Sequence, residues 1–503
     1  MNNAALEEVK DWKNKIIKEE ENAKYLKDGK DFIDEPEISR FLKIRQNIES
    51  REIRDIIRKS LAIETLEPSE TAALLNVEGN DLWNEIFQAA AAIKNKVYDN
   101  RVVTFAPLYS SSLCVNNCAY CGFRQENELI NRRRLGLEEV RQEAQVLAGK
   151  LGHKRVILVC GEHPLSGADY IAQTMREIYS VKVKTRRGFG QIRRINVNAA
   201  PMSVSDLKKI KGAGIGTFQV FQETYHHQTY SKVHPENTIK GNFAWRLYAL
   251  HRAMEAGIDD VAIGALFGLY DWKFEVMGML YHARDLEKYF GVGPHTVSFP
   301  RLEPAANTAF VRQTGHLVGD QDFKKLVAVL RLSIPYAGMI ITCREKPEMI
   351  RQVIPMCTQR DASSRIGIGA YSDRYEQQEE KRQQFILGDS RSLDEVIREL
   401  AAMGYITSFC TAGYRCGRTG DNIMSMLKTG KEGCLCKLNA VLTFQEWLED
   451  FASEETKKIG EVIIAKEIAE IQKRIPKDFS PAMFESFKQY HARIKTGERD
   501  LCF

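Results

Sequence analysis

Three cysteines stand close together in the run Leu-Cys114-Val-Asn-Asn-Cys118-Ala-Tyr120-Cys121-Gly-Phe, spaced C-x3-C-x2-C. Three thiolates can hold three irons of a [4Fe-4S] cube and leave the fourth iron without a protein ligand. An open iron of that kind can be chelated by the amino and carboxylate groups of S-adenosylmethionine. An electron can then pass from the cluster into the sulfonium and break a C–S bond. A structural zinc site is the competing use of such a motif. Zinc wants four ligands, usually as two close pairs. A close triplet without an obvious fourth partner fits the open cube better. Tyr120, just before the last cysteine, is the aromatic expected near the adenine.

The elements that must position this triplet are legible around it. Eight short β-branched and apolar runs read as strands: Thr104–Tyr109, Arg155–Cys160, Ile195–Ala199, Thr217–Phe221, Val261–Leu266, His295–Phe299, Met339–Cys343 and Ile366–Ala370. Longer amphipathic segments such as Leu137–Gly149 and Phe243–Ala256 separate them. This alternation predicts an α/β fold, a TIM-type (β/α)8 barrel, with the cysteines in the first βα loop at its catalytic face. The expected organisation is an N-terminal helical extension over 1–101, the barrel over 102–371 and a C-terminal helical domain over 372–503. In the extension, Pro68-Ser69-Glu70 opens one helix and Ile86 to Val97 lies in another. After a polar linker, Ser372–Gln384, a helix starts at Ser392 with Glu395 completing a capping box.

Bulk properties narrow the function classes. The 503 residues suffice for a large enzyme domain plus an appendage. No run of eighteen apolar residues occurs, which argues against a membrane span. The charged start, without an apolar signal core, points to a cytoplasmic protein. A net charge of +5 is weak support for a nucleic-acid partner. The densest basic run, Lys182 to Arg194, reads as a solvated hairpin. Eleven cysteines without an export signal favour metal chemistry over a disulfide scaffold. Cys160, Cys343 and Cys357 read as buried small hydrophobes.

Longer strings carry a family resemblance: LCVNNCAYCGF at 113–123, GEHP at 161–164, GIGTFQVFQETYH at 214–226, RAMEAGIDDVAIGALFGLYD at 252–271, GVGPHTVSFPRLEPA at 291–305, LGDSRSLDEVIREL at 387–400 and GRTG at 417–420. The chain resembles the radical S-adenosylmethionine tyrosine lyases, in particular the [FeFe]-hydrogenase maturase branch. The resemblance implies a lyase that splits the Cα–Cβ bond of L-tyrosine into p-cresol and dehydroglycine (2-iminoacetate). In that branch a second cluster converts dehydroglycine to CO and cyanide for hydrogenase maturation. It also implies an electron donor of the flavodoxin or ferredoxin class.

Roles follow residue by residue from the resemblance. Gly161 and Glu162 would hold the methionyl ammonium and Arg246 the methionyl carboxylate. Gln219, Ser298 and Arg301 would meet substrate, with Arg301 assigned to the tyrosine carboxylate; its rival role is a loop-anchoring salt bridge. Strand alternation puts Gln219 and Phe221 on one face and Val220 and Gln222 on the other, and Gln219 is favoured as inward. His282 and His295 are candidates to reach an iron inside the barrel, against a structural hydrogen-bonded role.

The chain departs from the family at its second cysteine group. The family carries C-x2-C-x22-C there. Cys410 and Cys436 fall on the first and third positions, but the middle one is Gly413, which offers no side-chain ligand. Three readings stay open: a cluster on Cys410, Cys436 and a replacement thiol, a domain without a cluster, or zinc on Cys410, Cys416, Cys434 and Cys436. Two alternatives to the whole assignment also stand. One is a thiamine-type 2-iminoacetate synthase or a lyase of another aromatic amino acid such as tryptophan. The other is a non-catalytic iron-sulfur maturation scaffold.

Overall fold

Runs of Val, Ile and Leu buried on both faces build a parallel barrel in the computed structural model, which describes residues 11–12, 14–372, 383–416 and 432–503. The barrel strands are β1 (Arg101–Ser111), β2 (Arg155–Cys160), β3 (Arg194–Asn198), β4 (Phe218–Gln219), β5 (Val261–Gly264), β6 (Thr296–Ser298), β7 (Gly338–Ile341) and β8 (Gln359–Asp361). Each pairs in parallel with the next, and β8 returns to β1 with Val103 opposite Gln359 and Phe105 opposite Asp361. The first seven overlap the runs expected from sequence.

The eighth does not. Ile366–Ala370 is a turn carrying Gly369 at φ 74°, and the closing strand is the polar segment Gln359–Asp361. Hydrophobic patterning misses a strand whose polar side chains are buried because each has a partner. Gln359 Oε1 accepts from Arg155 Nη2 at 3.0 Å, and Arg360 Nη2 pairs with Asp389 at 3.0 Å. The helix expected over Phe243–Ala256 is also two pieces, Phe243–Leu247 and Ala249–Glu255, broken at Tyr248.

The basic run is only partly the solvated hairpin expected. Val183–Lys184 and Phe189–Gly190 do form a short antiparallel pair. Arg193 and Arg194, however, are buried: Arg193 pairs with Glu446 at 2.8 Å and Arg194 with Asp260 at 2.6 Å.

Outside the barrel, the N-terminal helices include Pro68–Leu75 and Asn80–Tyr98. The longer one buries Ile86, Ala90, Ile93 and Val97, a helical stripe facing inward. C-terminal to the barrel, Leu393–Ala402 starts at the expected Ser392–Glu395 capping box. A ninth strand, β9 (Ile406–Ser408), then pairs with Arg101–Val103 at the start of β1. It delivers Cys410 to the barrel's N-terminal end, opposite the first cysteine loop. Helices Glu432–Asp450, Glu454–Lys473 and Pro481–Lys495 complete the chain. The first is fastened by Glu446, buried between Lys154 (3.0 Å) and Arg193 (2.8 Å). Most of the linker expected over 372–384 lies outside the described residues.

Candidate active site

All three cysteines line one cavity of about 230 Å³ at the C-terminal end of the strands. The loop that carries them is held by backbone and by one arginine. Cys121 N donates to Cys118 O at 3.1 Å, and Val115 N donates to Glu162 O at 2.9 Å. Arg132 Nη1 donates to Phe123 O at 2.9 Å and Ser112 O at 3.2 Å. The loop after β2 comes so close that a Cβ on Gly161 would stand 2.2 Å from Leu113 O, so the position requires glycine. Burial pushes the Cys114 thiol up and the Cys118 thiol up to about 12. Both are therefore neutral until a metal displaces their protons.

The wall beside the cysteines is charged and ordered. Asn116 Nδ2 donates to Glu162 Oε2 at 2.6 Å, while Glu162 Oε1 is buried with no hydrogen-bond partner among the described residues. Burial raises the Glu162 carboxyl, against the pull of Arg246 and Asn116. Arg246 donates from Nε to Phe221 O at 2.6 Å and from Nη2 to Glu223 at 3.0 Å. Glu223 also holds Lys240 at 2.8 Å. It does so from a left-handed backbone, φ 72°, a strain of the kind kept at functional sites. Burial alone would raise its carboxyl; Lys240 and Arg246 outweigh burial and hold it below the ordinary range. Tyr120 is fixed by a 2.8 Å hydrogen bond between its hydroxyl and His234 Nε2.

These residues fit the groups that the cysteine motif implies. Three thiols on one wall are a donor set for three irons. The orphan Glu162 oxygen suits an ammonium, and Arg246 keeps Nη1 without a partner among the described residues, free for a carboxylate.

Deeper in the cavity stand Gln219, Ser298, Phe221, Phe105 and Ile340. Gln222 lies outside it, buried with both amide atoms unpartnered among the described residues. Arg301 also stands apart from the cavity lining. It is spent on Glu345 (Nε to Oε1, 2.9 Å), Asp320 (2.8 Å) and Val318 O (2.9 Å). Besides Arg246, the guanidinium that lines the cavity is Arg344, just after β7. Arg344 has no carboxylate partner among the described residues, and burial lowers its pKa. Sequence reasoning passed over Arg344, Lys240, Asn116 and His234. Arg344 had a signal, since it follows a barrel strand at the catalytic face.

The two histidines separate. His282 lies on the outer helix Trp272–Phe290, with Nδ1 3.0 Å from Tyr225 OH, a structural role. His295 precedes β6 at the other end of the barrel, where it helps hold Asp260 low. Asp260 pairs with Arg194, which in turn reaches Cys410 Sγ at 3.7 Å. There Cys410, Gly413 and Cys436 line a small cavity with Arg101, Ser408 and Asn439. The side chains of Cys416 and Cys434 lie outside the described residues. Two described thiols and a glycine fall short of the three thiolates a cube requires.

Residues 108–277 match the model of the Radical SAM superfamily, and residues 298–406 match that of the biotin and thiamin synthesis associated domain. The chain is 30% identical over 364 residues to the 2-iminoacetate synthase of Salmonella typhimurium, covering 72% of this chain and 91% of that protein. The chain belongs to the radical SAM superfamily. Within it, the fold is HydG-like. A crystal structure of HydG, a maturase of the [FeFe]-hydrogenase, shares 46% identity over 94% of this chain and all of that one, with a TM-score of 0.87. HydG from Carboxydothermus hydrogenoformans shares 36% identity over 90% of this chain and 98% of that one, with a TM-score of 0.74. As a radical SAM enzyme it uses a [4Fe-4S] cluster and S-adenosylmethionine. Among the described residues no helix is long and apolar enough to cross a membrane.

Proposed function

We propose that the protein cleaves the Cα–Cβ bond of L-tyrosine to p-cresol and dehydroglycine. The observation that carries this reading is the Arg344 guanidinium, without a carboxylate partner among the described residues, in the same cavity as Glu162 and Arg246. One cavity thus offers anchors for two amino-acid headgroups. The similarity to 2-iminoacetate synthase and to HydG supports tyrosine as the second.

When bound, the cluster and S-adenosylmethionine supply a 5′-deoxyadenosyl radical, and the protein aims it. Cys114, Cys118 and Cys121 would hold the cluster. Glu162 and Arg246 would grip the methionyl ammonium and carboxylate, and Tyr120, braced by His234, would flank the adenine. Arg344 would hold the tyrosine carboxylate in its planar fork. Phe105, Phe221 and Ile340 would enclose the aromatic ring. Ser298 and Gln219 supply the polar groups of that wall, with the Gln219 Nε2 buried and unpartnered among the described residues. The apolar part of the wall would limit water around the substrate and keep it in one orientation, which is where an unselective radical needs control.

The reading ends at dehydroglycine. Its conversion to CO and cyanide would require the C-terminal group to hold a second cluster, and Cys410 and Cys436 are two thiols beside Gly413. The similarity to maturases supports hydrogenase maturation as the setting, and a reducing donor of the flavodoxin or ferredoxin class completes the reading. The test is anaerobic turnover of reconstituted protein with S-adenosylmethionine, a reductant and tyrosine. Deoxyadenosine and p-cresol are expected in equal amounts. Deoxyadenosine without p-cresol would sink the proposal, and indole products from tryptophan would redirect it.

A further inference from the structure

A short strap, residues 383–387, lies against the cavity and contributes Gln384, Phe385 and Leu387 to its lining. Both ends are tied down. Gly122 N donates to Gln384 O at 3.2 Å, and Gly388 N donates to Cys343 O at 2.8 Å. The approach depends on Gly122: a Cβ there would stand 2.9 Å from both Gln383 O and Gln384 O. On the strap, the Phe385 ring covers the Arg344 guanidinium at 3.3 Å. Its neighbour Gln384 turns to the cysteines. Gln384 Nε2 donates to Cys121 Sγ at 3.6 Å, and Gln384 Oε1 accepts from Tyr109 OH at 3.0 Å. The Cys121 sulfur here stands for the thiolate that would ligate iron. A hydroxyl that donates to the amide oxygen leaves the amide N–H groups for the sulfur.

We propose that Gln384 is a positioning residue that raises the reduction potential of the cluster held by Cys114, Cys118 and Cys121. One-electron reduction adds a negative charge that spreads onto the ligating sulfurs. A donor fixed on one sulfur stabilises the reduced form more than the oxidised form. Tyr109 acts behind it by holding the amide in the donating orientation. Nothing in the spacing of the cysteine motif signals this contact, because Gln384 lies 263 positions from Cys121.

The experiment is an EPR-monitored redox titration of the reconstituted full chain without S-adenosylmethionine or substrate, alongside iron and sulfide analysis. Gln384→Leu keeps the bulk and removes the donor. Its cluster is expected to load fully and to reduce at a more negative potential. Tyr109→Phe is expected to shift the potential in the same direction by less. A fully loaded Gln384→Leu cluster at the wild-type potential overturns the proposal. If Gln384→Leu fails to load, Tyr109→Phe decides: a negative shift supports the proposal, and an unchanged potential overturns it. No tyrosine is present, so this test fails or succeeds independently of the lyase reading.

Discussion

Arg301 donates from Nε to Glu345 Oε1 at 2.9 Å, and that pairing takes it out of the reaction cavity. On the proposed reading, Arg344, three residues after β7, takes the carboxylate-binding role. Arg344→Gln is expected to raise the KM for tyrosine roughly 10- to 100-fold, the usual worth of a charge-assisted pair. Affinity for S-adenosylmethionine should hold. Arg301→Gln should behave differently: it strands the buried Glu345, at about 1–3 kcal/mol of stability, with little change in KM. Steady-state kinetics and thermal melts on the two variants separate the roles.

Gly161 is a steric requirement of the cluster loop. Its missing Cβ leaves room for Leu113 O, the residue before Cys114. Gly161→Ala must push backbone against backbone, and overpacking of that kind costs roughly 1–3 kcal/mol. Iron loading after reconstitution and the melting temperature are both expected to fall. Full loading of Gly161→Ala would refute the packing account.

Glu446 fastens the C-terminal helices to the barrel, and its effect depends on pH. Burial alone would raise its carboxyl, but Arg193 and Lys154 outweigh burial and pull it down to about 2. A depressed carboxylate adds stability that is complete above its unfolded pKa, near 4.5, and is lost as pH falls toward 2. Glu446→Gln removes the carboxylate shared by buried Lys154 and Arg193, leaving Asp500 at 3.3 Å as an ion-pair partner of Arg193, and should cost roughly 3–5 kcal/mol at pH 7. The gap between variant and wild type should narrow below pH 4, as measured by thermal melts across pH.

Metal content tests the second cysteine group. The triple variant Cys114→Ala/Cys118→Ala/Cys121→Ala is expected to show no [4Fe-4S] EPR signal. A surviving signal would put a cluster at Cys410 and Cys436 despite Gly413. Conversely, Gly413→Cys places a third thiol in that cavity and is expected to add about four irons per chain.

Much of this protein is legible in its residues. The cysteine spacing points to the open cube without any coordinates, and seven barrel strands announce themselves as apolar runs. The eighth stays hidden because Gln359 and Arg360 are polar and yet buried, each by a partner far away in the chain. Gln219 is readable from strand alternation. Arg301 is misleading because sequence shows a guanidinium at a strand end but not the Glu345 that occupies it.

The amino-acid order by itself determined the cofactor chemistry, since the spacing Cys114, Cys118 and Cys121 decides which thiols can share one small inorganic core. It also exposed Gly413 at the middle position of the second cysteine group. Tertiary structure decided the substrate end. Only folding reveals that Arg301 is spent, that Arg344 has no carboxylate partner among the described residues and that Gln384 reaches Cys121 Sγ. The reason is physical: a ligand set close in sequence is close in space whatever the fold, whereas the pairing of a charge or an amide depends on which distant partner the packing delivers first.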